Sequence, residues 1–311
     1  MKPKPWVCVV GPGAVGGVLA ASLSKAGFEV RLAARQGGEA HRLARAGLSF
    51  EGPDGRRRAV RGLKALGASP RPAGDCAAVF LCVKARDLAA ALPAARAAAG
   101  PDTPVVSLLN GVGHERAVRR AAGTRRAVIG SCYFAAMRSG PRAVRHAGGR
   151  LVWLAETEAN SGAARRAAAV LRAAGWLVAL KRDEERLLWT KLVYNAGVNP
   201  LAALARRPNG ALAEDGALRE LTLKALAEAR RAAAAAGKRP YPEMTDAKVL
   251  AGCRAVPTQL NSMIQDLDAG RPTEAAAILT PLLAAAERRG VPVPALRVLA
   301  AAVRSLEEAL T

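Results

Sequence analysis

The sequence has no unbroken apolar run of about 18 residues, which argues against a transmembrane helix. Aromatic residues make up only 4% of the chain, too few for an obvious base-stacking surface. Its three histidines, His41, His114 and His146, lie far apart. The five cysteines, Cys8, Cys76, Cys82, Cys132 and Cys253, contain no C-x-x-C pair, so no metal site is suggested. Three of them sit in apolar strand-like stretches, where cysteine acts as a small hydrophobe. Glycine does not recur at every third position, so collagen is excluded. Residues 1–5, Met-Lys-Pro-Lys-Pro, run into a strand-like stretch, Trp6 to Val10, that glycines follow at once, unlike a signal peptide. The expectation is a soluble, cytoplasmic protein that does not engage membranes.

What the chain has in excess is positive charge: 47 Lys and Arg against 25 Asp and Glu, a formal balance of +22. Such a balance suits a nucleic-acid binder. The basic residues are spread along the chain, however. The runs Arg56-Arg57-Arg58, Arg206-Arg207 and Arg230-Arg231 are short and distant from one another. Nucleic-acid binding is therefore not expected as the main role, and an anionic small molecule is a milder use of the same field. Hydrophobic residues at 51% supply ample core material over 311 residues, a length that suits two domains at roughly 100–200 residues each.

The first half alternates strands and helices. Trp6–Val10 reads as a buried strand, 16–26 as a helix and Glu29–Ala33 as the second strand. Later apolar runs at 77–83, 105–109 and 127–130 have the length and composition of parallel strands, and 151–154 and 176–180 extend the sheet or form a small antiparallel part. Strand, helix, strand in repetition implies an open, doubly wound α/β sheet. After about Arg182 helical periodicity takes over, at 183–204, 211–236, 246–253, 273–289 and 294–310. The boundary is expected near residue 182, with an α/β domain over 1–182 and an all-helical domain over 183–311.

Gly11-Pro12-Gly13-Ala14-Val15-Gly16 fits G-x-G-x-x-G between a strand and a helix, the context a dinucleotide cradle needs. Gly11 allows the tight turn, Gly13 lets the backbone approach a pyrophosphate, and Gly16 allows close helix–strand packing. The helix start at Ala14 and Val15 offers N–H groups to the phosphates. An NAD site usually carries Asp or Glu at the end of the second strand. Here Glu29 comes too early, and the strand runs out at Ala33-Ala34-Arg35-Gln36. Arg35 can pair with a 2′-phosphate in a charge-assisted fork, which favours NADP.

Within residues 189–200, Trp-Thr-Lys-Leu-Val-Tyr-Asn-Ala-Gly-Val-Asn-Pro, Lys191, Asn195 and Asn199 are spaced i, i+4, i+8 and share one helix face. One cation and two amides among apolar residues are costly to bury without partners. Lining a wet cleft removes that conflict; a solvated stripe is the alternative. Pro200 is expected to kink or break the helix.

At this point the chain resembles the ketopantoate reductase (2-dehydropantoate 2-reductase) family over nearly its whole length. The resemblance rests on the glycine loop with Arg35, Val83-Lys84-Ala85, Asn110-Gly111-Val112-Gly113, and Trp189-x-Lys191-Leu192 with Asn195 and Asn199-Pro200-Leu201. It continues in Pro208-Asn209-Gly210, in residues 261–266, Asn-Ser-Met-Ile-Gln-Asp, and in Gly270-Arg271-Pro272-Thr273-Glu274. The resemblance implies an NADP-binding Rossmann domain at 1–182 and a helical substrate and catalytic domain at 183–311. It implies NADPH-dependent reduction of 2-dehydropantoate to (R)-pantoate in the pathway to pantothenate and coenzyme A. By the family's motifs, Lys191 is the general acid and Glu274 the carboxylate that works with it. Asn195, Asn199 and Ser262 are substrate-binding positions, together with Lys191. Asn110 lies where cofactor and substrate meet, and Lys84 near the cofactor.

The chemistry agrees: negative charge builds on a ketone oxygen as hydride reaches its carbon, and an ammonium can stabilise that charge and donate the proton. The chain also departs from the family. Asp87 stands where Gln is common, Gln259 where many members have Asn, and residues 275–280, Ala-Ala-Ala-Ile-Leu-Thr, replace a more polar segment. These changes bear on the substrate more than on the cofactor. The alternatives are another 2-oxo acid or imine as substrate, or a non-catalytic NADP(H)-binding regulatory protein. His114, at an expected helix start, reads as structural, and Trp189 as a core anchor. A homodimer through the helical domain is the expected assembly.

Overall fold

The computed structural model describes residues 5–34, 37–67 and 76–309, so Arg35 lies outside the described residues. The chain divides into two compact units: Met1–Leu109 with Gly113–Glu184, and Asn110–Val112 with Glu185–Thr311. The three-residue segment that belongs with the second unit carries Asn110.

The first unit opens with strand β1 (Trp6–Val10), helix α1 (Ala14–Lys25) and strand β2 (Glu29–Ala33). Every residue of β1 is buried. A strand covered on both faces has no polar alternation, which is why it reads as a continuous apolar run. There follow α2 (Gly37–Ala46), β3 (Leu48–Glu51), β4 (Arg57–Val60), β5 (Lys64–Ala65), β6 (Cys76–Leu81), α3 (Leu88–Ala98), β7 (Val105–Ser107) and α4 (Glu115–Ala122). The unit closes with β8 (Ala127–Gly140), β9 (Ala143–Ala155), α5 (Ser161–Ala173) and β10 (Leu177–Lys181). Among the described residues the strands form one mixed sheet in the order β4-β3-β9-β8-β7-β6-β1-β2-β5, with β10 paired to β9. The stretch from β5 through β2, β1, β6 and β7 to β8 is parallel. β8 and β9 form a long antiparallel hairpin, and β3 runs parallel to β9 and antiparallel to β4.

The short strand expected at 127–130 is thus the first third of a 14-residue strand, and that at 151–154 the end of a 13-residue one. The outer arms hold Gly, Arg and Ala rather than a steady apolar alternation, so pairing rather than propensity makes them strands. Residues such as Val18, Leu19, Phe80, Val106 and Leu154 are buried in the first unit's core.

The second unit is helical: α6 (Glu184–Ala205), α7 (Ala211–Glu214), α8 (Gly216–Ala235), α9 (Asp246–Arg254), α10 (Ser262–Asp268), α11 (Ala275–Arg288) and α12 (Pro294–Glu308). α6 continues past Pro200. The helix does not break there, because tertiary packing on a nearly fully buried stretch outweighs one lost backbone bond. At Gly197 a Cβ would lie 2.4 Å from Leu226 Cδ2, so α6 and α8 approach more closely there than any larger residue permits. The helix expected over 211–236 is divided at Asp215. Its backbone is extended and its carboxylate accepts from the Ala217 and Leu218 N–H groups, each at 3.1 Å, capping α8. Leu192, Ala196, Leu226, Ala229, Cys253 and Leu282 are buried in this unit's core. Among the described residues no helix is long and apolar enough to cross a membrane.

Candidate functional site

In the first unit, the chain leaves β1 and turns at Gly11, whose φ of +89° favours glycine. Its N–H donates to the Ala33 carbonyl at 2.8 Å. A Cβ on Gly11 would lie 2.7 Å from Val83 Cγ1 and 3.0 Å from the Cys82 carbonyl group; one on Gly16 would lie 2.1 Å from the Gly11 oxygen. Gly11 and Gly16 are therefore fixed by packing. Gly13 differs: a Cβ there meets nothing within 4 Å. Its backbone faces open space at the mouth of the turn.

α1 begins at Ala14, and its first internal bond runs from the Gly17 N–H to the Gly13 carbonyl at 2.8 Å. The N–H groups of Ala14, Val15 and Gly16 thus have no carbonyl of the preceding turn to bind. No acidic residue stands in the first turn to neutralise them. A bare Gly13 backbone beside an unneutralised helix start fits the pyrophosphate of a dinucleotide.

Lys84 follows β6 on the segment whose Cys82 and Val83 pack against Gly11. It is half-buried, and its carbonyl accepts from the Asp87 N–H at 2.9 Å, closing a short 3-10 turn over Ala85–Asp87. Glu29, at the start of β2, is engaged by Arg31 at 3.0 Å and Lys64 at 2.8 Å.

In the second unit, Asn195 and Asn199 on α6 are buried, at 3% and 6% exposure, which rules out a solvated stripe. Asn195 Nδ2 donates to Asn110 Oδ1 at 3.3 Å, and Asn110 Nδ2 donates to Glu274 Oε2 at 3.1 Å. Three of the expected residues, 164 positions apart at the extreme, thus form one hydrogen-bonded chain. Gly111, with φ +87°, lets the chain turn beside α11, where a Cβ would lie 3.3 Å from the Ala277 oxygen. Glu274 is half-buried at the N-cap position of α11.

Lys191 is half-buried one turn before Asn195, with its ammonium 4.7 Å from the centroid of the Tyr194 ring. Burial pushes the Tyr194 phenol well above its ordinary value, so it is a neutral neighbour to the lysine. Ser262 is the first residue of α10. Its neighbour Asn261 caps that helix, with Oδ1 accepting from the Met263 and Ile264 N–H groups at 3.0 and 3.1 Å. Asn261 Nδ2 donates to the Asn199 carbonyl at 3.3 Å and to Asn209 Oδ1 at 3.4 Å. Ser262 is thereby held to the backbone of the same α6 face.

Sequence reasoning assigned no role to Tyr194 or Asn261. Tyr194 carried the signal of an i, i+3 spacing from Lys191. Asn261 carried that of an N-cap residue before Met263 and Ile264. His114 is buried at the N-cap position of α4, and Trp189 is buried in the helical core. Cys132 and Tyr133 lie within β8. The cysteines are free thiols, and among the described residues no group of three or more His, Cys, Asp or Glu could hold a metal ion.

The description "Ketopantoate reductase PanE/ApbA" matches residues 7–159, and its C-terminal counterpart matches residues 183–307. A 2-dehydropantoate 2-reductase of Halobacterium salinarum is 29% identical over 96% of this chain and 97% of its own length. The crystal structure of a PanE/ApbA family ketopantoate reductase from Ralstonia eutropha JMP134 is 28% identical with a TM-score of 0.79, covering 98% of this chain and 99% of that one. The ternary structure of D-mandelate dehydrogenase with NADH and anilino(oxo)acetate superposes with a TM-score of 0.81. It covers 98% of each chain at 23% identity and speaks to the fold alone.

Proposed function

Because the chain belongs to the ketopantoate reductase family, we propose that this oxidoreductase reduces 2-dehydropantoate to (R)-pantoate with NADPH, as a step toward pantothenate and coenzyme A. The observation that carries the reading is the hydrogen-bonded chain Asn195–Asn110–Glu274 on the lysine-bearing face of α6. It gathers the amides, the carboxylate and the helix of the ammonium that a polar 2-oxo acid requires.

Gly11, Gly13 and Gly16, with the N–H groups of Ala14 and Val15, would hold the cofactor's pyrophosphate. Lys84 and Asn110 would contact it further along, and Arg35 would select its 2′-phosphate. The engagement of Glu29 by two cations at the start of β2 supports NADP over NAD, since no other acid stands in that strand. When bound, the cofactor supplies a hydride to the ketone carbon.

The chain's own residues do the rest. Lys191 Nζ–H stabilises the negative charge that builds on the ketone oxygen and then donates the proton to it. Tyr194 offers a ring face that favours the charged ammonium. Glu274 favours the same charged state and is itself oriented by the Asn110 amide. Asn195, Asn199 and Ser262 hold the carboxylate and hydroxyl without adding net charge.

One observation favours a second substrate. The first turn of α11 after Glu274 is Ala275-Ala276-Ala277, with no acidic residue. A less polar 2-oxo acid suits that turn better than one with a hydroxyl. The test is steady-state kinetics of the purified protein with 2-dehydropantoate and a panel of 2-oxo acids, each with NADPH and NADH. The proposal expects the highest kcat/KM with 2-dehydropantoate and NADPH. Preference for an apolar 2-oxo acid would move the substrate, and preference for NADH would remove the Arg35 argument. Turnover of none, with NADPH bound, would favour a regulatory role. A homodimer in solution belongs to the same proposal, and sedimentation would test it.

A further inference from the structure

A groove of about 540 Å³ opens on the first unit, lined among others by Ser49, Arg57, Arg58, Ala59, Arg142 and Ala143. The sheet register explains its shape. Ala59 pairs with Ser49 across the β4–β3 ladder, and Ser49 pairs with Ala143 across β3–β9. Alternation puts these three small residues on one face in a row, which forms the floor. The next row on that face is Arg57, Glu51 and Arg145, by the same two ladders. Glu51 lies 2.8 Å from Arg57 Nε and 3.1 Å from Arg145 Nε, so two cations share one carboxylate and the row keeps a net positive charge.

On the other side the β8–β9 turn supplies Arg142, whose Nη1 is tied to the Ala46 carbonyl at 3.1 Å. Arg58 pairs with Phe50 across the β3–β4 ladder, so its side chain lies on the opposite face of β4, with the guanidinium 4.5 Å from the centroid of the core Phe50 ring. Two guanidinium groups, those of Arg57 and Arg142, thus stand beside the floor, and none of the groove's lining residues is acidic.

A charged edge strand guards against unwanted pairing, and that accounts for Arg57 and Arg58 on β4. It does not account for Arg142, which stands on a turn and is braced by a backbone carbonyl.

We propose that this groove binds the phosphate groups of a small phosphorylated molecule, at a site separate from the glycine turn. Guanidinium groups present forked donors that match phosphate oxygens. The volume falls in the range of small-molecule sites, about 300–1,000 Å³. The lining contains no aromatic side chain on which a base could stack, which disfavours single-stranded nucleic acid as the occupant.

The test is isothermal titration of the intact protein with inorganic pyrophosphate, in saturating NADPH so that phosphate binding at the glycine turn is suppressed. Wild type is compared with Arg57→Gln, Arg142→Gln and the double variant, and with Arg304→Gln, an exposed arginine on α12, as control. Thermal unfolding of each variant checks that it is folded. The proposal expects one arginine-dependent site, weakened about tenfold or more in the double variant and unchanged in Arg304→Gln. Equal affinity in wild type and double variant would overturn it. So would an equal loss in the control, which would mean a diffuse field rather than a site. Tighter, equally arginine-dependent binding of a DNA duplex would replace the small ligand with nucleic acid. The readout is a difference between groove variants, so it stands or fails independently of the reductase reading.

Discussion

The two glycines of the β1–α1 turn make opposite predictions under the same substitution. At Gly16 an added Cβ meets the Gly11 carbonyl oxygen at 2.1 Å and Cys82 Cβ at 3.1 Å. The carbonyl belongs to a backbone held by the Gly11–Ala33 hydrogen bond and cannot swing aside. Overpacking of this kind costs about 1–3 kcal/mol. Alanine's better helix propensity offsets about 1 kcal/mol of it. Against a carbonyl that cannot move the cost lies at the upper end of that range, so Gly16→Ala is expected to lose about 2 kcal/mol net, or roughly 3 °C in Tm for a chain of 311 residues.

At Gly13 the Cβ has nothing within 4 Å. Gly13→Ala changes only the N-cap preference, which costs under about 1 kcal/mol. Its cost falls on the ligand instead, because the methyl group occupies the space through which a pyrophosphate approaches. The NADPH Kd is expected to rise at least about tenfold, equivalent to about 1.4 kcal/mol. Differential scanning fluorimetry gives the first quantity and quenching of NADPH fluorescence the second. Gly13→Ala binding NADPH as well as wild type would refute the cradle. Gly16→Ala with wild-type Tm would refute the packing argument.

Three further outcomes follow from the geometry. Asn110→Ala removes the donor to Glu274 and the acceptor for the buried Asn195 amide, a loss of about 1–3 kcal/mol for an unsatisfied buried group. Steady-state assays should show kcat/KM falling about 10–100-fold, with Tm lowered by a few degrees; an unaltered kcat/KM would sever the network from catalysis. Gly197→Ala forces a Cβ to 2.4 Å from Leu226 Cδ2, so α6 and α8 should separate. Tm should fall by several degrees, and the variant should be rescued in part by Leu226→Ala; absence of rescue would mean the contact is not the cause. His146 has its pKa lowered, first by burial, although its Nε2 bonds the Gly149 carbonyl at 2.7 Å and Phe134 and Trp176 pack around it. A depressed folded value means that its contribution to stability is present above the ordinary value, about 6.5, and lost as pH falls through the folded one. Thermal unfolding between pH 7.5 and 5.5 should show a drop in wild type that is smaller in His146→Gln, and equal drops would contradict the assignment.

The parts legible in the sequence are those governed by local rules. β1 and β2 were readable to the residue because buried parallel strands are short apolar runs bounded by turn residues. The face shared by Lys191, Asn195 and Asn199 follows from helical periodicity alone. The rest depends on pairing across distance. Nothing in the spacing of Asn110 and Glu274 announces their bond. The outer arms of β8 and β9 hold each other in place with residues of weak strand propensity. The division at Asp215 turned on whether an acidic residue in a helical run faces solvent or caps a new start. α10 is seven residues long, too short to show periodicity, and only the capping of Asn261 marks it.

The central claim is that Lys191 is the proton donor, and it is tested most directly by kcat of Lys191→Ala with 2-dehydropantoate at saturating NADPH, with the NADPH Kd measured in parallel. The account predicts a fall in kcat of about 10²-fold or more with the NADPH Kd unchanged. A kcat close to that of wild type would contradict it.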